Sequence, residues 1–273
     1  MRRRIPAIVL NAGLILIAVV TLAPVLWMIS ASFMAPGEAG TFPPRLVPAH
    51  PTLEHYLLLP ERMHLIRYFI NSAVIACFAT LLSLFFNSMA GYAFAKFRFK
   101  GRDVLFRFLL SAMVIPAQVT MLPLFFMLKK MGLINTYLGV MIPSLASIFG
   151  IFLVRQFAQS IPDSLLEAAR MDGASDFKIY RLVVLPLCKP ILLTLALFTF
   201  MGTWNDFMWP LIVMTDNSNY TLPVALANLA GEHVQDTELM MAGSVVTVLP
   251  VVILFLAFQK HYVRGIMVGG VKE

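Results

Sequence analysis

One carboxylate and one polar segment stand out from an otherwise apolar chain as the places where chemistry could happen. Asp206 lies about 15 residues into a long apolar run, roughly 22 Å along it at 1.5 Å per residue. An ionisable group at such depth is costly and marks a functional position by default. Thr199, Gly202, Thr203, Asp206 and Trp209 recur at helical spacing and form a small, polar face flanked by aromatic rings. Hydroxyls of a polyol need polar partners and its C–H faces pack on rings, so this face suits a sugar-like solute. Trp204 and Asn205 occupy the adjoining face, and Gln118 and Thr120, between Pro116 and Pro123, are further cavity candidates, followed by Asn71, Asn87 and Ser88. The alternative is structural: Thr199, Gly202 and Thr203 allow close helix packing and Asp206 caps a helix end.

The polar segment runs from Arg155 to Lys189. Ser160 and Asp163 have the spacing of a capping box, with Pro162 in a tolerated first turn. Gly173 supplies a left-handed stop, and Ser175 and Asp176 start a second short helix through Phe177, Ile179 and Leu182, ending before Pro186. The expected product is two short helices joined by a tight turn. Ala168 and Ala169 would let a partner's surface approach closely, Glu167 offers a carboxylate to a basic group, and Leu165 and Leu166 are candidate apolar anchors. No Gly-x-x-x-x-Gly-Lys-[Ser/Thr] phosphate loop, His-Glu-x-x-His pair or Gly-x-Ser-x-Gly elbow occurs. The chain is therefore expected to be no enzyme, to hold no cofactor or metal, and to take its energy from a partner.

These residues must be positioned by a membrane bundle. Of 273 residues, 59% are hydrophobic and only 13% charged, about half the charged share of an ordinary soluble domain. A water-facing globule of this composition could not cover itself. The formal net charge of +7 comes from short basic clusters separated by long uncharged runs, which argues against a nucleic-acid partner. Cys77 and Cys188 have no metal-site or disulfide spacing.

A crossing takes about 20 apolar residues. The expected organisation is an N-terminal anchor at 1–33, a Pro-rich loop at 34–67, a core at 68–260 and a tail at 261–273. Within the core, spans fall at about 71–95, 104–128, 138–154, 190–214 and 240–258, with the polar segment at about 160–186. The first apolar run is longer than a signal peptide's, and reads as an uncleaved anchor. Pro36, Pro43, Pro44, Pro48, Pro51 and Pro60 make the first loop extended and semi-rigid. Placing the N-terminus inside puts 16 of the 21 Lys and Arg residues on the cytoplasmic side, the bias that membrane topology demands. Both termini are then cytoplasmic. The loop carrying Asp216, Glu232, Asp236 and Glu238, without Lys or Arg, lies outside.

Glu167-Ala168-Ala169, Asp172-Gly173 and Val183-x-Leu185-Pro186 resemble the EAA motif of permease subunits of ABC importers, with Val183 where the family prefers Ile. Phe42-Pro43-Pro44, Thr52-Leu53-Glu54-His55-Tyr56, Asn71-Ser72, Gly91-Tyr92-Ala93, Ile115-Pro116, Asn135-Thr136-Tyr137, Trp204-Asn205-Asp206 and Gly269-Gly270-Val271-Lys272 are similar to the carbohydrate-uptake branch, in particular its smaller maltose and glycerol-phosphate permeases. The resemblance implies an all-α integral membrane protein of six spans with a type I importer core and a cytoplasmic coupling helix. It also implies a bacterial inner (plasma) membrane location, a second homologous permease, two ATP-binding subunits that hold ATP and Mg, an extracytoplasmic solute-binding protein, and a sugar or polyol solute. The competing class is an ion-coupled secondary transporter of a small polar solute, which ordinarily needs more intramembrane carboxylates and inverted repeats.

Overall fold

The computed structural model describes residues 4–232 and 236–270. Arg2, Arg3, His233, Val271 and Lys272, which entered the sequence reading, lie outside them. The described residues are helical, without strands. In chain order the helices are α1 (Arg4–Ala31), α2 (Glu54–Arg62), α3 (Leu65–Lys96), α4 (Arg102–Ala112), α5 (Ala117–Lys130), α6 (Tyr137–Leu145) and α7 (Ile148–Gln159). The short α8 (Asp163–Met171) and α9 (Asp176–Ile179) follow, then a π-helical stretch Tyr180–Val184, α10 (Leu185–Leu187), α11 (Lys189–Trp204), α12 (Met208–Val213), α13 (Leu222–Glu232) and α14 (Thr237–Gly270).

Three stretches are long and apolar enough to cross a bilayer as single helices: Val9–Ala31, Leu65–Lys96 and Thr237–Gln259. Three bent pairs bring the number to six if each is one crossing: α4 with α5 at 104°, α6 with α7 at 41°, and Asp176–Leu187 with α11 at 80°. The third expected span is thus broken rather than kinked. Pro116 stands immediately before α5; it lacks an amide donor and disfavours helix at Ile115, so the ladder stops at Ala112 and restarts at Ala117. Pro123 and Pro143 are absorbed inside α5 and α6. The fifth expected span also ends early, at Trp204, because Asp206 turns its carboxylate on a backbone amide of the next helix rather than continuing the first. Such local bonding is how Asp competes with helix.

Two compact units emerge. One comprises residues up to 67 with 222–250, the other 68–221 with α14 from Val251 onward. In the first, Ala31, Met34 and Ala39 form a small buried cluster with Trp27 and Met241 against it. Glu238, almost fully buried, accepts the Ala39 amide at 2.7 Å. His55 is fully buried, its Nε2 2.9 Å from the Met34 carbonyl and its Nδ1 3.8 Å from Asp236.

The second unit carries two larger apolar clusters. Ile75, Ala79, Leu128, Val140, Met141, Trp209 and Val213 bring α3, α5, α6 and α12 together. Gly139 is the tight point: a methyl group there would collide with the Leu133 carbonyl oxygen and press on Val213, while the Gly139 carbonyl accepts the Trp209 indole N–H at 3.1 Å. Overpacking of this kind costs about 1–3 kcal/mol. Gly139→Ala is expected to lower the melting temperature of the detergent-solubilised protein; an unchanged melt would show that α6 shifts freely. The other cluster, built on Tyr92, Ala158, Ile161, Leu166, Ile179, Tyr180, Val184 and Ile191, anchors the polar segment.

Candidate functional site

The polar segment folds as a helix, a reversal and a second helical stretch. α8 is followed by Gly173 at φ +78. The Ala174 amide donates to the Ala169 carbonyl at 3.0 Å and the Gly173 amide to the Arg170 carbonyl at 2.9 Å, a left-handed helix stop of the Schellman type. Ser175 Oγ then accepts the Lys178 amide at 3.4 Å and starts α9, and Arg170 pairs with Asp176 across the turn at 3.1 Å.

The start of α8 differs from the expected capping box. Ser160 terminates α7, donating to the Phe157 carbonyl, and α8 begins at Asp163 without a side-chain cap. Its anchor is Lys96, at the end of α3, whose side chain is only 7% exposed and whose ammonium donates to the Ile161 carbonyl at 2.5 Å and to Asp163 at 2.6 Å. Lys96 removes the need for a cap by holding the first turn from outside. That hydrogen bond, followed by the Lys96 charge, holds the Asp163 carboxyl below its ordinary value. A lowered carboxyl contributes stability above the unfolded value, about 3.9, and loses it as pH falls through the folded one. The protection factors of the amides over 161–169, the intrinsic exchange rate at each pH divided by the measured one, are accordingly expected to be flat from neutral pH down to about 5 and to fall below the ordinary Asp range. Asp163→Asn should abolish that pH dependence; an unchanged profile would remove the clamp.

Glu167, Ala168, Asp172, Gly173 and Pro186 are exposed, whereas Ala169 and Leu185 are half-buried. Leu166 turns inward onto the Tyr92–Tyr180 cluster, worth about 1.5–3 kcal/mol of burial, so it is no free anchor. Ala169 also packs against that cluster. The exposed large apolar residues of α8 and α9 and of the link between them are Leu165, Met171 and Phe177, with Leu182 and Leu187 exposed further on. The second stretch does not end before Pro186 but runs through it to Leu187. Wider π turns at 180–184 accommodate a proline that cannot donate to the fourth residue back. Tyr180 Oη lies 2.6 Å from Ser88 Oγ, which ties this stretch to α3.

α11 leads from this segment into a cavity of about 360 Å³ lined by α5, α6, α7, α11 and α12 residues. Thr199, Gly202, Thr203, Asp206 and Trp209 all border it, together with Thr120, Ser144, Ser147, Phe149 and Phe198. Among the described residues Asp206 is its one ionisable lining residue, and its Oδ1 accepts the Trp209 amide at 3.3 Å. Trp204 is buried outside the lining, between Phe69 and Phe200. Asn205 and Gln118 are exposed and do not line it. Nor do the other candidates: Asn71 binds the Ser218 and Tyr220 carbonyls and the Tyr137 hydroxyl, Asn87 binds Ser83, and Ser88 meets Tyr180. Ser147, missed in the sequence, caps α7 by accepting the Gly150 amide at 3.0 Å; a serine opening an apolar run was its only signal.

A helical membrane bundle with a mainly apolar cavity that carries hydroxyl residues and one carboxylate, and a stiff surface helix in the same unit, defines a membrane transport component. The chain belongs to the family of binding-protein-dependent transport system inner membrane components, whose model matches residues 84–268. It is 38% identical over 266 residues to the arabinooligosaccharides transport system permease protein AraQ of Halalkalibacterium halodurans, covering 96% of this chain and 95% of that one. It is 35% identical over 271 residues to the trehalose/maltose transport system permease protein MalG of Thermococcus litoralis, covering 97% and 96%. Among solved structures it is similar to a bacterial ABC transporter involved in the import of the acidic polysaccharide alginate, with TM-score 0.84 and 27% identity over 95% of this chain and 97% of that one. The fold is that of a type I ABC importer permease, a transport component and not an enzyme.

Proposed function

We propose that this chain is the membrane-spanning permease subunit of an ATP-driven importer for a saccharide or related polyol, delivered by an extracytoplasmic solute-binding protein. The observation that carries the reading is the near full-length similarity to permeases named for arabinooligosaccharides and for trehalose and maltose. The cavity supports it: Thr120, Ser144, Ser147, Thr199 and Thr203 line the same space as Phe149, Phe198 and Trp209.

A second homologous permease completes the pathway, and two ATP-binding subunits supply the energy, holding ATP and Mg themselves. With both termini cytoplasmic, α8 faces those subunits. Its exposed Ala168 admits close approach, Glu167 pairs with a basic group, and Leu165, Met171 and Phe177 seat in an apolar cleft. Closure of the ATP-binding subunits pushes on α8. The push passes through α9, the π-helical stretch and α10 into α11, which carries Thr199, Gly202 and Thr203 on the cavity wall.

The test is reconstitution of the four-subunit assembly in proteoliposomes. Uptake of a labelled oligosaccharide should require both ATP and the loaded binding protein. Uptake driven by a proton or sodium gradient without ATP would overturn the reading in favour of a secondary transporter.

A further inference from the structure

The loop after α1 exposes large apolar side chains that neither the cavity nor the coupling segment explains. Phe42 is 96% exposed, Leu46 73% and Val47 74%, three such residues within six positions. A loop in water would be expected to hold polar residues there. The backbone that carries these apolar side chains is tied to the last turns of α1: the Trp27 indole N–H donates to the Arg45 carbonyl at 3.2 Å and the Ser30 hydroxyl to the Leu46 carbonyl at 2.6 Å. Trp27 is four residues from the end of α1, about 6 Å of rise. The loop therefore folds back to the level where the first span ends, beside a helix whose apolar stretch is largely exposed up to its last turns and so available to lipid.

Its polar groups are prepared for that position. Glu38 accepts the Ala49 amide at 2.7 Å and the Ala35 amide at 3.1 Å, and pairs with the Arg45 guanidinium at 3.1 Å. Thr41 donates its amide and its hydroxyl to the Glu38 carbonyl. Pro43, Pro44 and Pro48 carry no amide hydrogen to satisfy. Backbone groups near hydrocarbon must be paired internally, and a lone guanidinium there would be costly; here much of the backbone is bonded and Arg45 is partnered.

We infer that residues 42–47 form a hook that dips Phe42, Leu46 and Val47 into the lipid boundary at the Ala31 end of the first span. The partner is the bilayer itself, reached by continuity with the lipid-facing surface of α1. Interfacial segments bury apolar side chains at this depth while their polar groups stay at headgroup level, and a tryptophan at the span end belongs to the same belt.

The test places a nitroxide at position 42 (Phe42→Cys) in the assembled transporter in phosphatidylcholine/phosphatidylglycerol nanodiscs, in a Cys77→Ser background that leaves only the buried Cys188. The unsubstituted background reports residual labelling, and Lys100→Cys in the exposed turn between α3 and α4 serves as the aqueous reference in place of any α8 position, which the ATP-binding subunits cover. The ratio of oxygen to nickel-chelate accessibility is expected to be several-fold higher at 42 than at 100. High nickel accessibility would make the loop aqueous and overturn the proposal. Low accessibility to both reagents would mean a protein covers the hook, a second permease or the binding protein, and would overturn it equally. Leu46→Cys and Val47→Cys repeat the measurement should the first variant fail to assemble.

Discussion

Replacing Gly173 with valine is expected to leave the protein inserted and assembled but to lower ATP-dependent uptake by about 5- to 30-fold, the factor that a bias of one to two kcal/mol sets. The reason is conformational rather than steric. Nothing lies within 4 Å of a side chain built at 173, so there is room for one. The backbone, however, holds φ +78, where a β-branched residue meets its own carbonyl at a cost of about 1–2 kcal/mol. Relief comes from opening the reversal, which lengthens the path between α8 and α9 and breaks the Ala174 to Ala169 bond. Hydrolysis by the partner subunits would then proceed without moving α11. Asparagine tolerates this region, so Gly173→Asn should keep most of the uptake. Normal uptake by the valine variant at normal expression would sink the coupling assignment.

Asp206→Ala should cost transport about tenfold or more, the scale of one charge-assisted hydrogen bond at about 1.5–3 kcal/mol, while assembly stays near wild type. The substitution removes both the carboxylate bordering the cavity and the acceptor for the Trp209 amide. The two losses separate with Asp206→Asn, which keeps an oxygen for the amide and discards the charge. Uptake kinetics and the yield of assembled complex are measured on both variants. Uptake at the wild-type rate in the alanine variant would take Asp206 out of the pathway and leave it a helix cap, worth about 0.5–2 kcal/mol.

The sequence was most legible where one residue type has one physical use. Gly173 read as a left-handed stop because few other residues accept that backbone, and Thr199, Gly202 and Thr203 read as one face because helical spacing brings them together, whereas Asp206 and Trp209 reach the same cavity through the turn after Trp204. It was least legible where distant segments meet. Lys96 looked like one more basic residue at a span end, and only the fold places it on Asp163, 67 positions away. Leu166 and Leu165 are equally apolar neighbours, and their opposite fates follow from which side of α8 meets Tyr92 and Tyr180. Ser160 had two helices to serve, and its hydroxyl closes the earlier one. Trp204 and Asn205 belonged to the right stretch but not to the cavity, because α11 stops at Trp204 and the chain turns before Asp206.

The break between α4 and α5 alters what thickness means for this protein. Two helices bent by 104° cannot both stand along the membrane normal; with one upright, the other lies nearly in the membrane plane. α5 has 14 residues, about 21 Å at the helical rise, against a hydrocarbon layer of about 30 Å. An upright α5 is too short to reach both headgroup layers, so at least one of its ends opens into water or a thinned patch of bilayer. Because Ala117, Thr120, Met121 and Leu124 of that helix border the cavity, the shortfall brings solvent close to the place where the solute passes. Its rate of passage is then expected to depend on lipid chain length.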